Sequence, residues 1–461
     1  MLSSLPDFIK LIESSGELHR IEARVSARLE LAAITRRVCS APDGGKAMLF
    51  LKPDQYPFPV ATNLFGSRRR MELSLGLNSL PDLTGRFEEL LLLAGSSDFT
   101  NTGPALSNSL QEYLPINSSG GPCREHCEQS ADLLRLPFLQ GWPDDGSAAG
   151  TGRYLTLGQV FTARPDGSDP NCGIYRCQIH DSRTLAIRWR RGSGADSHYR
   201  LFEQQGTVMP LAITLGGPPA LTLAAAWPLP EEVSEMVFAG WLLGSPIPLL
   251  QCSHGPLPVP AESEFVVEGF AEPDQYLIEG PFGNHTGRYD PAAPAVKVTV
   301  TRITRRHNPV LPATVVGRPP QEDCWMMLGW ERLLAAFLRR MIPGVRDICL
   351  PLPWVFHQSA VISFSDPASG KVKELVQTLW QLPWFARAKL LVVVDASVRP
   401  SDIGTAAWRM INETMWPDDL IHDTGGYRLA VDATRRDLSS VTEDDETTHL
   451  IEERWKEYGL P

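Results

Sequence analysis

Four short segments of this 461-residue chain concentrate side chains that can do chemistry. The first, Asn171-Cys172-Gly173-Ile174-Tyr175-Arg176, carries a guanidinium one residue after a tyrosine in a strand-like run, so the two alternate faces. The second is Arg188-Trp189-Arg190-Arg191-Gly192-Ser193-Gly194, followed by His198. Guanidinium groups beside glycine-rich backbone suit a phosphate. The third is Glu235, at the start of an expected helix, and the fourth is Glu279-Gly280-Pro281-Phe282-Gly283-Asn284-His285-Thr286-Gly287. On spacing alone each has a plain reading: an exposed strand arginine, a solvated basic turn, a carboxylate opposite a helix dipole, and a turn. Yet a turn does not need Glu279, Asn284 and His285 together on one loop stiffened by glycine and proline.

The elements that must position these groups fall into three stretches. Up to about residue 115, Leu5, Phe8, Ile9, Leu11 and Ile12 predict an amphipathic opening helix that Gly16 ends; MLFLK and FPVATNLFG read as strands and RFEELLLLAG as a helix. From 116 to 312 the texture changes to short β-branched runs separated by Gly, Pro, Asp and Ser: RYLTLGQVFTA, GIYRCQIH, TLAIRWR, MPLAITLGG, FVVEGF, YLIEGP and VKVTVTRI. That pattern predicts a β-barrel or sandwich, interrupted by one helix around Pro230 to Leu243. From 313 onward strand and helix alternate again, giving a second α/β domain, and the tail HLIEERWKEYGLP reads as a short helix that must dock on something to be stable.

Composition bounds the function. Apolar residues make up 43% and charged residues 21%, so the chain can build packed cores. Ten prolines fall between Pro210 and Pro260, where the chain average gives about four, a belt of stiff loops rather than disorder. A net charge of −11 argues against nucleic acid or anionic membrane as the main partner. No apolar run is long enough to span a membrane, and the N-terminus does not read as an export signal, so a cytoplasmic protein with reduced cysteines is expected. Cys123 and Cys127 have no second pair to complete a zinc site. Phosphate-loop, dinucleotide-binding, nucleophile-elbow and zinc-protease motifs are absent from the sequence.

Taken together, the four segments resemble the UbiD family of decarboxylases, which use prenylated FMN. The likeness covers nearly the whole chain, with RYLTLG, NCGIYR, RWRRGSGADSHYR, GGPPALTLAA, WPLPEEVSE, SPIPLLQCSHGPLPVPAESEFVVEG, EGPFGNHTG, GRPPQED and WKEYG in order. It implies an α+β multi-domain fold. A central split β-barrel of the flavin-reductase kind (116–312) would stand between an N-terminal α/β domain (1–115) and a C-terminal α/β domain (313–461), whose last helix joins subunits into a homodimer or homohexamer. It further implies reversible, non-oxidative decarboxylation of an α,β-unsaturated, aromatic or heteroaromatic acid, with CO2 as product and a flavin prenyltransferase as supplier of the cofactor. The cofactor would carry the hard chemistry and the protein would position it.

By the same resemblance, Asn171, His198 and Glu235 would hold a divalent metal, usually Mn2+, against the flavin phosphate; oxygen donors with one imidazole suit that ion. K+ would sit nearby on backbone carbonyls around Cys172 and Ala225-Ala226-Trp227. Ile174, Tyr175, Arg176, Arg188, Trp189, Arg190, Arg191 and Gly192 match flavin-contacting segments, and Arg428 in GGYRLAVDAT matches a basic residue aimed at the cofactor. Arg176 and Glu279 match the catalytic arginine and first acid. The second acid, normally the proton donor, is Asn284 here. An amide has no titratable proton. Asn284 could read a polar substrate group while water, Glu279 or His285 supplies the proton; water could stand in at a slower rate; or the protein could bind the flavin without turnover, as an assembly protein. A flavin reductase on the same barrel is a weaker third class.

Overall fold

The computed structural model describes residues 2–95, 99–253, 255–365, 370–434 and 444–459. The opening helix runs Leu5–Ser14, capped by Ser4, whose hydroxyl accepts the Asp7 N–H. Its apolar stripe of Leu5, Phe8, Ile9 and Ile12 is buried. It covers a four-stranded sheet in the order Leu18–Val25, Ala47–Pro53, Val60–Thr62, Leu311–Ala313. The last strand comes from far along the chain and stands at the sheet edge, where Pro312 removes no needed ladder donor.

The middle of the chain forms a nine-stranded sheet. Eight strands follow one path: Tyr154–Leu155, Cys177–Ile179, Thr184–Ile187, Ala293–Arg305, Ser263–Glu279, Met209–Gly216, Gln159–Thr162 and Asn171–Ile174. The second and eighth strands of that path are consecutive in sequence, joined only by Tyr175 and Arg176. Laid flat, six strand spacings of about 4.8 Å would put them about 29 Å apart. Three Cα steps from Ile174 to Cys177 reach at most about 11 Å. The sheet must therefore curl back on itself, and it forms a half-barrel whose open seam carries Arg176. Side chains obey the strand period. Leu211, Ile213, Leu215, Phe265 and Val267 fill one core, while the intervening Ala212 and Val266 belong to the other. With both faces covered, the strands read as long apolar runs.

Several expectations change. FVVEGF and YLIEGP are one strand, Ser263–Glu279, interrupted by an irregularity between Ala271 and Tyr276 where Asp274 takes a left-handed conformation. The expected helix starting at Pro230 begins at Glu235 and ends at Leu243. Two further helices, Gly194–Gln205 and Pro219–Ala226, also interrupt the strands. Toward the C-terminus, a 20-residue helix, Glu322–Met341, precedes a five-stranded sheet in the order Val345–Cys349, Ser359–Phe364, Leu390–Asp395, Leu429–Ala433, Leu420–His422. The tail forms a helix, Asp445–Arg454, and a turn through Tyr458, none of it buried within the subunit. Among the described residues, no helix is long and apolar enough to cross a membrane.

The long helix Glu322–Met341 fixes the proline belt. Trp227 Nε1 donates to Met326 O at 2.9 Å, and Trp384 Nε1 donates to Pro228 O at 2.9 Å. Gly329 is required at that contact, since a Cβ there would lie 2.3 Å from the Trp227 indole. Gly329→Val is expected to destabilise the protein by about 1–3 kcal/mol through overpacking. The check is the urea midpoint: a lowered midpoint is expected, and an unchanged one means the helix does not press on the belt.

Candidate active site

Arg176 stands at the seam of the curled sheet, and three acidic or amide side chains organise around it. Its Nε donates to Glu279 Oε1 at 2.9 Å and its Nη2 to Glu279 Oε2 at 3.1 Å, a bidentate pair. Its Nη1 donates to Asp290 Oδ2 at 2.7 Å. Glu279, the last residue of the long strand, is fully buried and also has Arg188 Nη1 at 3.5 Å. Burial opposes charge on Arg176, but the Glu279 and Asp290 pairs outweigh it and its pKa is raised. The guanidinium lies 4.5 Å over the Phe282 ring, which holds its plane from one face. One planar cation is thus fixed at the mouth of a cavity, suited to bidentate recognition of a carboxylate.

The Glu279–Gly287 loop is a hairpin in which Phe282 and Gly283 pair with Asp290 and Tyr289. Asn284 is buried there and both ends of its amide are engaged. Its Oδ1 accepts from Thr286 N at 2.8 Å and Thr286 Oγ1 at 2.6 Å, while its Nδ2 donates to Asp290 Oδ1 at 2.6 Å. His285 lies with its ring 4.5 Å from that of His357. Burial pushes the pKa of His285 down, helped by Arg387 and opposed by Asp290. Burial and the nearby cations push His357 down to about 4. Both imidazoles are neutral near pH 7.

A cavity of about 1050 Å³ opens beside Arg176. The strand Asn171–Ile174, Tyr175, Trp189, the turn before helix Gly194–Gln205 and the belt from Ala225 to Glu235 all border it. Tyr175 and Trp189 meet edge to face at 5.1 Å. Arg188, Arg190 and Gly192 border the cavity, whereas Arg191 is exposed and outside its lining. Arg188 is drawn toward Glu279 and donates to Pro291 O at 3.2 Å. Arg428 borders a second cavity of about 490 Å³, with Asn284 and His285, and pairs with Asp423 at 3.0 Å. Asp290 and Arg387 border both cavities.

Asn171, His198 and Glu235 converge on the larger cavity. His198 is buried, its Nδ1 2.9 Å from Thr162 Oγ1, and its Nε2 faces Asp169 Oδ2 at 3.6 Å. Burial lowers its pKa against the pull of Asp169, leaving a neutral imidazole that can ligate. Burial pushes Glu235 up to about 7; the Cys172 N–H at 3.2 Å counters this and Asp169 adds to it. Gly194 is needed because a Cβ there would lie 2.2 Å from Asn171 Oδ1. Two buried nitrogens on the cavity wall, Asn171 Nδ2 and Trp189 Nε1, have no hydrogen-bond partner among the described residues. Among the described residues, no three His, Cys, Asp or Glu side chains form a ready metal cluster. The donor set here is one imidazole, one carboxylate and one amide, with the Asp169 carboxylate 3.6 Å from the imidazole, and its chemistry fits a hard divalent cation. Sequence reasoning missed Asp169 and Asp290; each is a lone acid in a turn-like context and carries no motif.

Comparison with known proteins gives three consecutive family matches, all to 3-octaprenyl-4-hydroxybenzoate carboxy-lyase (UbiD) models: the N-terminal domain over 9–87, the Rift-related domain over 115–319 and the C-terminal domain over 324–443. An uncharacterized protein of Archaeoglobus fulgidus is 33% identical, covering 98% of each chain, and one of Aquifex aeolicus is 34% identical, covering 99% of this chain and 98% of that one. Among solved structures, the closed form of Sedimentibacter hydroxybenzoicus vanillic acid decarboxylase superposes with a TM-score of 0.85 at 25% identity, covering 100% of both chains. An evolved dimeric form of the UbiD-class enzyme HmfF from Pelotomaculum thermopropionicum, in complex with prenylated FMN, gives a TM-score of 0.81 at 24% identity, covering 97% of this chain and 98% of that one.

Burial separates the two partners of Arg176. Glu279→Gln leaves a mostly buried guanidinium short of its bidentate partner and is expected to cost about 3 kcal/mol of stability. The Asp290 carboxylate is 40% exposed, so Asp290→Asn is expected to cost no more than about 1 kcal/mol. Denaturant unfolding of the two variants checks the order; equal losses would contradict it.

Proposed function

The chain belongs to the UbiD family of carboxy-lyases, and on that footing we propose that it catalyses reversible, non-oxidative decarboxylation of an aromatic, heteroaromatic or α,β-unsaturated carboxylic acid with prenylated FMN. The observation that carries this reading is Arg176, clamped by buried Glu279 at the edge of a cavity of about 1050 Å³. When bound, prenylated FMN supplies the electrophilic site that takes up the electron pair of the breaking C–C bond.

The protein's own residues bind, orient and shield. Arg176 receives the substrate carboxylate, and Glu279 holds the guanidinium in plane for it. Ile174, Tyr175, Arg188, Trp189, Arg190, Arg191 and Gly192 hold the flavin and its phosphate, Arg191 from outside the cavity lining. Arg428, on the neighbouring cavity, is the basic residue that the C-terminal domain aims at the cofactor. Asn171, His198 and Glu235 hold Mn2+ or a similar ion, and carbonyls around Cys172 and Ala225-Ala226-Trp227 hold K+. The largely buried Glu235, its charge opposed by Asp169 and without an ion pair among the described residues, supports the divalent ion. The two unpartnered nitrogens support an acceptor-rich ligand. Asn284 stands in the place of the usual acidic donor and holds the hairpin through Thr286 and Asp290.

The curled sheet supports a split barrel of the flavin-reductase kind, residues 116–312, set between the 1–115 and 313–461 domains. The unburied tail, with Leu450, Trp455 and Tyr458 exposed, supports a homodimer or homohexamer. A flavin prenyltransferase supplies the cofactor. A cofactor-binding protein without turnover is the second reading, and Asn284 is the observation that favours it.

The test is co-expression with a flavin prenyltransferase, then CO2 release from benzoic, 4-hydroxybenzoic, 2-furoic and cinnamic acids. A flavin spectrum distinct from FMN and CO2 release from one of the acids are expected, with Arg176→Ala lowering kcat/KM by about 10²-fold or more. Unchanged release in that variant, or NAD(P)H oxidation without CO2, would overturn the reading.

A further inference from the structure

The carboxy-lyase reaction replaces a carboxyl group by a proton, and the residue at 284 cannot give one. The groups around it narrow the source. Glu279 is fully buried, borders neither cavity and commits both oxygens to Arg176. His285 and His357 are neutral imidazoles whose burial disfavours the protonated form. Asp290 also has both oxygens engaged, but it differs in access. It borders both cavities, is 40% exposed at its side chain, and reaches Arg176 and Asn284 with separate oxygens. The hairpin register brings it across from the Phe282–Asn284 stretch. The acid that position 284 lacks therefore stands across the hairpin, in contact with the amide that replaced it.

We propose that Asp290 is the proton donor of this site and that Asn284 is its positioning residue. The proposal rests on the decarboxylase reading above. Arg176, Arg188, Glu279 and Asp290 form a group with no net charge. Arg387, Lys389, Arg428 and His357 face the same space from the C-terminal domain, and His285 faces it from the hairpin loop. A substrate carboxylate arriving at Arg176 competes with Asp290 for Nη1 and adds one negative charge. Asp290, the solvent-accessible member, takes up a hydronium proton from solvent, leaving water, as it yields the guanidinium. The C–C bond then breaks and CO2 leaves. The Asp290 proton moves to the carbon that lost the carboxyl group, and Asp290 is left as carboxylate to pair again with Arg176. No oxidant or reductant is consumed. Asn284, fixed by two bonds from Thr286, offers only an N–H toward Asp290 and so holds the carboxyl group in one orientation.

The experiment uses holoenzyme with the same four acids and their decarboxylated products. It compares 13CO2 exchange into the acid, which needs no net proton, with deuterium exchange from D2O into the product, which needs the donor. In Asp290→Asn the ratio of deuterium to 13CO2 exchange is expected to fall about 10²- to 10⁴-fold. Asn284→Asp/Asp290→Asn is expected to regain much of it. An unchanged ratio in Asp290→Asn overturns the proposal while leaving the decarboxylase reading intact. Neither exchange in the wild type, with flavin bound, overturns that reading and the proposal with it. A second readout needs no turnover. Asn284→Asp in the apo protein sets two carboxylates together, which raises proton affinity in the folded state, so its melting temperature should fall as pH rises toward neutrality. Asn284→Asp/Asp290→Asn should lack that slope; the same slope in both variants means the side chains do not meet, and the proposal falls.

Discussion

Two residues, Tyr175 and Arg176, connect strands that stand six places apart in one sheet, and the rest of the molecule is built around that short link. Because the chain cannot cross a flat sheet in three Cα steps, the sheet curls until its second and eighth strands meet at a seam. A seam leaves backbone and side chains that no neighbouring strand covers, which is where a cavity can open. Arg176 occupies it with its charge balanced from below by buried Glu279 and from the side by Asp290. The last residue of the long strand Ser263–Glu279 reaches this point because the sheet brings it there. Without the curl, Arg176 and Glu279 would be two distant charges, each too costly to bury alone.

The surrounding elements serve that seam. The proline belt walls the cavity on one side and is fastened at Trp227 and Pro228 by indole hydrogen bonds from and to the C-terminal region. The hairpin Phe282–Asp290 reaches the cavity at Asp290 and carries a chain of contacts, Thr286 to Asn284 to Asp290 to Arg176 to Glu279, in which every charge has a partner. The metal-type donors Asn171, His198 and Glu235 sit on three different elements, so their convergence depends on the same curl that sets Arg176.

Much of this was legible in the residues. The alternating runs announced the strands, and the NCGIYR and EGPFGNHTG motifs named Arg176, Glu279 and Asn284 before any geometry. What the sequence concealed has physical causes. The helix Pro219–Ala226 is apolar on nearly every side because it is buried on nearly every side, so it lacks an amphipathic period. Pro219 stands at its entry position, where proline suits a helix but reads as loop. The strand Leu311–Ala313 joins a sheet whose other members end at Thr62, a pairing that no local pattern encodes. Asp169 and Asp290 act through neighbours more than 20 or 100 positions away, His198 and Arg176 respectively; single acids in turns give no sign of such partners.

The central claim is that the seam exists to present Arg176, in plane on Glu279, to a carboxylate. A crystal structure of the co-expressed holoprotein with a bound aromatic acid tests it most directly. The account predicts a carboxylate oxygen within hydrogen-bond distance of an Arg176 Nη atom, with the Arg176–Glu279 pair intact. A carboxylate seated elsewhere, with Arg176 still closed onto both Glu279 and Asp290, would contradict it.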